Sequence, residues 1–352
     1  MTADSPASSA VPLPPTMRAW QVAKRGADPA IGRIARPDPG PGEVLIQVAA
    51  CGLNFADLLQ IDGRYQVRAT PPYTPGMELA GRVVAHGQGV FFPAIGARVA
   101  VLTDAGGLAE YAIAPADRCL LLPDRMDWVT AAAFQIAYGT SLLALDRRGR
   151  LKAGETLVVT GAAGGVGLTA VAIGRRMGAR VVAVARGADR LAVAAEAGAE
   201  VLIDSAEAGL DLKARLKALG GADVIYDTVG GDMALGALGA LRPEGRFLVI
   251  GFAGGDVPQF PANLMLVKNI EAIGVYFGGY QSFAPDVLTG VLAQLVDWQG
   301  AGALDPHASH LLPFEAAGEG FTLLRERRAT GKVVVTLERD GGGDGRSDIG
   351  DV

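Results

Sequence analysis

The chain has 352 residues, half of them hydrophobic and a fifth charged, so it can bury more than one core and is not an unfolded, charge-rich chain. Its formal net charge of −5, with no run of Lys or Arg, leaves no basic footprint for nucleic acid or for an anionic membrane. Two cysteines, Cys51 and Cys119, are too few and too far apart for a disulfide scaffold and read as free thiols of a reducing compartment.

In chain order, residues 1–16, "MTADSPASSAVPLPPT", have neither the basic start nor the apolar stretch of a secretory signal. They read as a disordered tail, and the chain as cytoplasmic. Order starts at Met17. "MRAWQV" and "GEVLIQVAACGL" (42–53) read as strands parted by the turn-rich "RPDPGPG". "AGRVVAHG", "ARVAVL" and "LAEYAIAP" follow, each bounded by Gly or Pro, and together predict an antiparallel β domain to about residue 130. The apolar "AAAFQIAYGTSLLAL" (131–145) is too short to span a bilayer and carries Gln135.

The pattern then changes. "TLVVT" (156–160), "RVVAVA" (180–185), "EVLID" (200–204), "DVIYDTV" (223–229), "RFLVIGF" (246–252) and "IEAIGV" (270–275) are continuous apolar runs separated by helical periods. Runs apolar on both faces suit parallel strands buried between helix layers, and six of them predict a doubly wound α/β sheet. "FAPDVLTGVLAQLVDWQGAG" (283–302) predicts an amphipathic helix. "HASHLLPFEAAGEGFTLLRERRATGKVVVTL" (307–337) predicts a strand, a helix and a strand that return to the first domain. The end, 338–352, reads as a second disordered tail.

"VVTGAAGGVG" (158–167) follows the first of these strands and opens a helix with apolar spacing at Val166, Ala170, Ile173 and Met177. In that context the run reads as a dinucleotide loop, Ala162, Ala163, Gly164, Gly165, Val166 and Gly167. Ala162, Gly164 and Gly167 hold the three small positions that allow the turn, the approach of a pyrophosphate and the packing of helix on sheet. The free N–H groups and the dipole of the helix N-terminus favour the phosphates. An NAD-selective site would place Asp or Glu at the end of the second strand; here Ala185 is followed by Arg186 and Arg190, which favours NADPH.

The β-domain-first order, "GAAGGVG", "GDMALGALGALRPEGRFLVIGFAGG" (231–255) and the terminal "GKVVV" resemble the medium-chain dehydrogenase/reductase superfamily over about residues 17–337. "CGLNFADLLQIDGRY" (51–65) and "PYTPGMELAGRVV" (72–84) bring the likeness to its zinc-independent quinone oxidoreductases. "GFAGG" with "PANLMLVKNIEAIGVYFGGY" (261–280) brings it to the quinone oxidoreductase-like protein 2 group. The resemblance implies a GroES-like domain (17–137 and 281–337) and a Rossmann NADP(H)-binding domain (138–280). It also implies no zinc: Asn54, Met77 and the neighbourhood of Ala132 stand where the alcohol dehydrogenase branch has its ligands.

Without a strong Lewis acid, the easier acceptors are those that already spread negative charge, quinones and alkenes conjugated to a carbonyl. Asn54, at the former ligand position, is the candidate donor to the oxyanion or to the ribose. Asp57, three residues on, would hold Asn54 or a water. Tyr65 matches the proton-donating tyrosine of enoyl thioester reductases. Tyr138 matches a nicotinamide-side position, Gly251 and Phe252 close the crevice at a strand end, and Lys332 would reach the cofactor from the returning segment. Ser205 stands where many relatives have a tyrosine beside the 2′-phosphate. An acyl-CoA thioester acceptor, or an NADPH-binding protein of low turnover, are the other readings. The edge strand "NIEAIGV" implies a homodimer.

Overall fold

The computed structural model describes residues 13–304 and 306–337. Residues 1–12 and 338–352, most of the two expected tails, lie outside the described residues. Residues 13–16 are placed: Pro14 and Pro15 carbonyls accept from Arg36, and the first strand starts at Thr16, one residue ahead of expectation.

The six apolar runs form one sheet in which every pair is parallel. Its spatial order is Val201–Asp204, Arg180–Ala185, Thr156–Thr160, Ala222–Asp227, Leu241–Val249, Glu271–Gly274. Numbered along the chain this is 3-2-1-4-5-6, the doubly wound order, and the reversal beside Thr156–Thr160 leaves a crevice at the carboxyl ends of the strands. All five residues of Thr156–Thr160 are buried because helices cover both faces. Val201–Asp204 and Glu271–Gly274 are its two edges.

The second sheet has seven strands in a path His310–Pro313, Val333–Thr336, Glu43–Leu53, Glu78–His86, Arg98–Leu102, Leu120–Leu121, with Tyr111–Pro115 also paired to Glu43–Leu53. It is antiparallel except where His310–Pro313 runs parallel to Val333–Thr336. The strands His310–Pro313 and Val333–Thr336 thus join the sheet built on Glu43–Leu53.

Between the sheets run Trp128–Ala133, Gln135–Leu142 and a π-helical turn, Leu143–Arg148. Their residues Ala131–Phe134 and Leu142–Leu145 belong to a core that takes in Ala50, Ala80 and Ala100 of one sheet and Leu157, Val159 and Leu248 of the other. Burying Phe134 alone is worth roughly 2–3 kcal/mol. The two halves share a packed wall, and the cleft opens beside it. Among the described residues no helix is long and apolar enough to cross a membrane.

Candidate active site

The cleft has a volume of about 2010 Å³, roughly twice the ~1,000 Å³ upper range of small-molecule pockets, so it accommodates a dinucleotide and a second molecule. One half is built from the carboxyl ends of the parallel strands. The strand Thr156–Thr160 runs into Gly161 at φ +64, where a Cβ would meet Thr228 Oγ1 at 2.3 Å. The tight turn therefore sits at Gly161, one residue before the expected small position. Ala162 is fully buried, its N–H given to Val184 O, and does not line the cleft. This corrects its expected role. Ala163, Gly164, Gly165, Val166 and Gly167 do line it. A Cβ at Gly167 would lie 2.1 Å from Gly161 O, so glycine is what lets the helix Gly165–Arg176 start this close to the strand.

Arg186 and Arg190 after the second strand, and Ser205 after the third, line the same cleft. Asp204 accepts N–H groups of Gly187 and Ala206, and these backbone bonds hold its carboxyl below the ordinary value. Arg190 donates to the carbonyl of Arg327, and Arg325, Arg327 and Arg328 of the returning segment join the wall. Sequence reasoning missed these three, because nothing in "LRERRATG" shows which crevice it crosses. Gly251 and Phe252 line the cleft as expected.

The other half comes from the mixed sheet. Asn54 precedes the helix Phe55–Ile61, and Phe55, Ala56 and Leu59 form a wall. Asn54 also lines the cleft, but its side chain is fully engaged. Nδ2 donates to Glu78 Oε1 at 2.9 Å and to Gly52 O at 3.3 Å, and Oδ1 accepts from Lys332 Nζ at 2.6 Å. The expected free amide, ready for an oxyanion, is therefore turned inward; the reason is Glu78, a buried carboxylate that sequence reasoning passed over. Its only signal was a charged residue opening the apolar strand "ELAGRVVAH". Lys332 likewise does not extend toward open space: its three donors go to Asn54 Oδ1, Leu53 O at 3.2 Å and Glu78 Oε1. Both Glu78 and Lys332 are buried.

Asp57 is buried beneath Asn54. It accepts the Asn54 N–H at 2.8 Å and the Gly76 N–H at 3.2 Å, so it holds the backbone, as half expected. Burial pushes its carboxyl up to about 7, against the pull of the Asn54 N–H and of Lys332. Tyr65 is half-buried in the wall, its ring edge-on to Tyr276 with centroids 6.4 Å apart. Burial, then the neighbouring Tyr276, raises the Tyr65 phenol, which stays protonated at neutral pH. Tyr276 was not anticipated. Tyr138 is corrected: Ile136, Ala137 and Thr140 of its helix face the cleft, and the helical period turns Tyr138 into the core.

Among the described residues there is no group of three or more His, Cys, Asp or Glu that could hold a metal ion. Asn54, Met77 and Ala132 supply no zinc donor set, and an ammonium sits among the oxygens that remain.

Comparison with known proteins agrees with this architecture. Residues 40–124 match the alcohol dehydrogenase GroES-like domain and residues 165–293 the zinc-binding dehydrogenase domain. The two halves and the glycine loop define an oxidoreductase fold, and the chain belongs to the medium-chain dehydrogenase/reductase family, with the quinone oxidoreductases. It is 36% identical over 300 residues to quinone oxidoreductase-like protein 2 of Bos taurus, covering 85% of this chain and 86% of the relative. It is 30% identical over 318 residues to the synaptic vesicle membrane protein VAT-1 homolog of Homo sapiens, covering 86% and 80%. The quinone oxidoreductase of Thermus thermophilus, solved also as its complex with NADPH, superposes with a TM-score of 0.80 at 34% identity, covering 91% of this chain and 100% of that one.

Proposed function

We propose that the chain is an NADPH-dependent reductase of quinones or other α,β-unsaturated carbonyls that works without a metal. The observation that carries the reading is the continuous cleft running from Arg186 and Arg190, past the glycine loop, to the apolar wall with Tyr65. The complex of the Thermus thermophilus relative with NADPH supports the choice of cofactor.

Ala163–Gly167 would hold the pyrophosphate with the N–H groups at the helix start, and Arg186 and Arg190 the 2′-phosphate. When bound, the reduced nicotinamide supplies a hydride. Leu53, Phe55, Met77, Ile136 and Phe277 enclose the acceptor in an apolar space that excludes water. The phenol of Tyr65 gives its proton to the enolate or hydroquinone anion and is refilled from solvent beside Tyr276, whose partly exposed ring lines the same space. Arg64 and Asp104, of opposite charge, both line the cleft on the substrate side, a mixed setting that favours a small acceptor over the phosphates of a CoA thioester.

In this reading residues 17–137 with 281–337 bring the acceptor and 138–280 the cofactor. Two chains pair through the edge strand Glu271–Gly274, beside which Leu266 and Val267 are exposed. The free thiols Cys51 and Cys119 fit a reducing cytoplasm. The test is the absorbance of NADPH followed against a benzoquinone, a fused-ring quinone, an enone and crotonyl-CoA. Turnover with the first three and little with the thioester is expected. Flat traces with all four would leave only a binding protein.

A further inference from the structure

The dipeptide Gly331–Lys332 touches both halves of the cleft at once. On one side its backbone is attached to the glycine loop: Gly331 N–H donates to Ala163 O at 3.0 Å, and Gly331 bridges Gly164. On the other side the Lys332 ammonium is enclosed by Leu53 O, Asn54 Oδ1 and Glu78 Oε1. Glu78 extends the chain of contacts, its second oxygen accepting the Ile136 N–H at 2.9 Å, at the start of the helix that separates the two sheets. Glu78 is fully buried and Lys332 is 4% exposed.

A buried ion pair is a poor device for stability, since desolvation cancels most of the attraction. Its use is geometric: two charges with saturated hydrogen bonds have one arrangement. The three ammonium protons are all taken, and so are both protons and the oxygen of the Asn54 amide. Neither group has a proton to give to a substrate. What they hold is the entry to the helix Phe55–Ile61, whose Phe55, Ala56 and Leu59 form the acceptor wall.

We propose that Lys332 and Glu78 are positioning residues: a charged strut that sets the acceptor wall at a fixed distance from the dinucleotide loop. The assignment of the two sides to acceptor and cofactor rests on the reductase reading above. The strut is bonded to the loop through main chain, with the Lys332 stem beside Gly165, and it holds the wall through its charged heads. Exchanging Lys332 for Met keeps the stem and removes the charge, so it disturbs the wall and spares the loop.

The test uses the full chain as Lys332→Met, Glu78→Gln and the double variant. Four quantities are read: thermal unfolding, NADPH Kd by fluorescence titration, kcat with a benzoquinone, and amide hydrogen exchange over 53–61. Lys332→Met leaves a buried, unpaired carboxylate, so Tm falls, exchange over 53–61 quickens and kcat drops roughly 10- to 100-fold, the scale of a reacting group misplaced by about 1 Å. NADPH Kd stays at the parent value. The double variant, with both charges gone, regains Tm but neither the slow exchange nor kcat. Glu78→Gln, which keeps the shape, falls between and serves if Lys332→Met does not fold. Recovery of exchange and kcat together with Tm in the double variant would reduce the pair to charge balance and overturn the proposal. So would a rise in NADPH Kd with unaltered exchange, which would make Lys332 a cofactor contact. If the parent chain binds NADPH and reduces no acceptor, the reductase reading fails, and the exchange data alone still decide on the strut.

Discussion

Two glycines three positions apart in the loop are expected to fail differently when each gains a methyl group. At Gly167 a Cβ would lie 2.1 Å from Gly161 O, 2.8 Å from Gly161 C and 3.0 Å from Ala162 Cα, all backbone atoms of a turn that is itself packed on Thr228. Ordinary contact starts near 3.4 Å, so the helix Gly165–Arg176 would have to retreat by more than about 1 Å, and overpacking on this scale costs roughly 1–3 kcal/mol. At Gly164 the nearest atom to a Cβ is Gly161 O at 3.4 Å, and its φ of −78 suits alanine. The space beyond it is the cleft. Gly167→Ala should therefore lower Tm in the absence of any ligand, while Gly164→Ala should unfold with the parent and lose NADPH affinity, because the methyl stands where the phosphates approach. Circular dichroism melts and a fluorescence titration with NADPH separate the two. A Gly167→Ala protein as stable as the parent, or a Gly164→Ala protein that keeps full NADPH affinity, would refute the assignment of packing to one glycine and ligand approach to the other.

Arg186→Ala should weaken NADPH more than NADH, by the roughly 1.5–3 kcal/mol of a charge-assisted hydrogen bond, and equal losses would undo the 2′-phosphate assignment. Prolonged chelation should leave turnover unchanged; recovery or gain on adding zinc would overturn the metal-free reading. Tyr65→Phe should lower kcat with an enone by roughly 100-fold at constant NADPH Kd, and an unchanged kcat would remove the phenol from the proton step. Asp57 has its folded pKa raised from 3.8 to about 7, so the native state keeps a proton that the unfolded chain releases. Its contribution is fully present below pH 3.8 and is lost as pH rises through 7, an upper bound of about 4 kcal/mol. Urea midpoints of the parent should fall over that window more steeply than those of Asp57→Asn, and parallel curves would contradict the burial of a protonated carboxyl.

What was legible in the sequence is what local pattern controls. Continuous apolar runs such as "TLVVT" and "RVVAVA", short and rich in valine, suit strands covered on both faces, and glycines between such a strand and a helix mark the turn that a phosphate needs. The strand, helix and strand of 307–337 were legible for the same reason. What was not legible is who meets whom across distance. Glu78 and Lys332 are 254 positions apart, and neither is unusual in its own neighbourhood. Without that partner, Asn54 reads as a free amide. Tyr138 was misplaced because its residue type drew attention, while the phase of its helix depends on two sheets packing on it at once. Tyr276 faces Tyr65 only after the edge strand has brought it round.

The pairing of Val333–Thr336 with residues 50–53 of Glu43–Leu53 has a consequence for synthesis. The ribosome releases the amino-terminal half of the mixed sheet long before its last partner exists. Until then the backbone of Ala50–Leu53 has one side without a neighbour, next to the Asn54 that the same returning segment will hold. The parallel sheet, whose strands all lie between residues 156 and 274, has no such wait. It can close first and serve as the surface on which the earlier-made domain is finished.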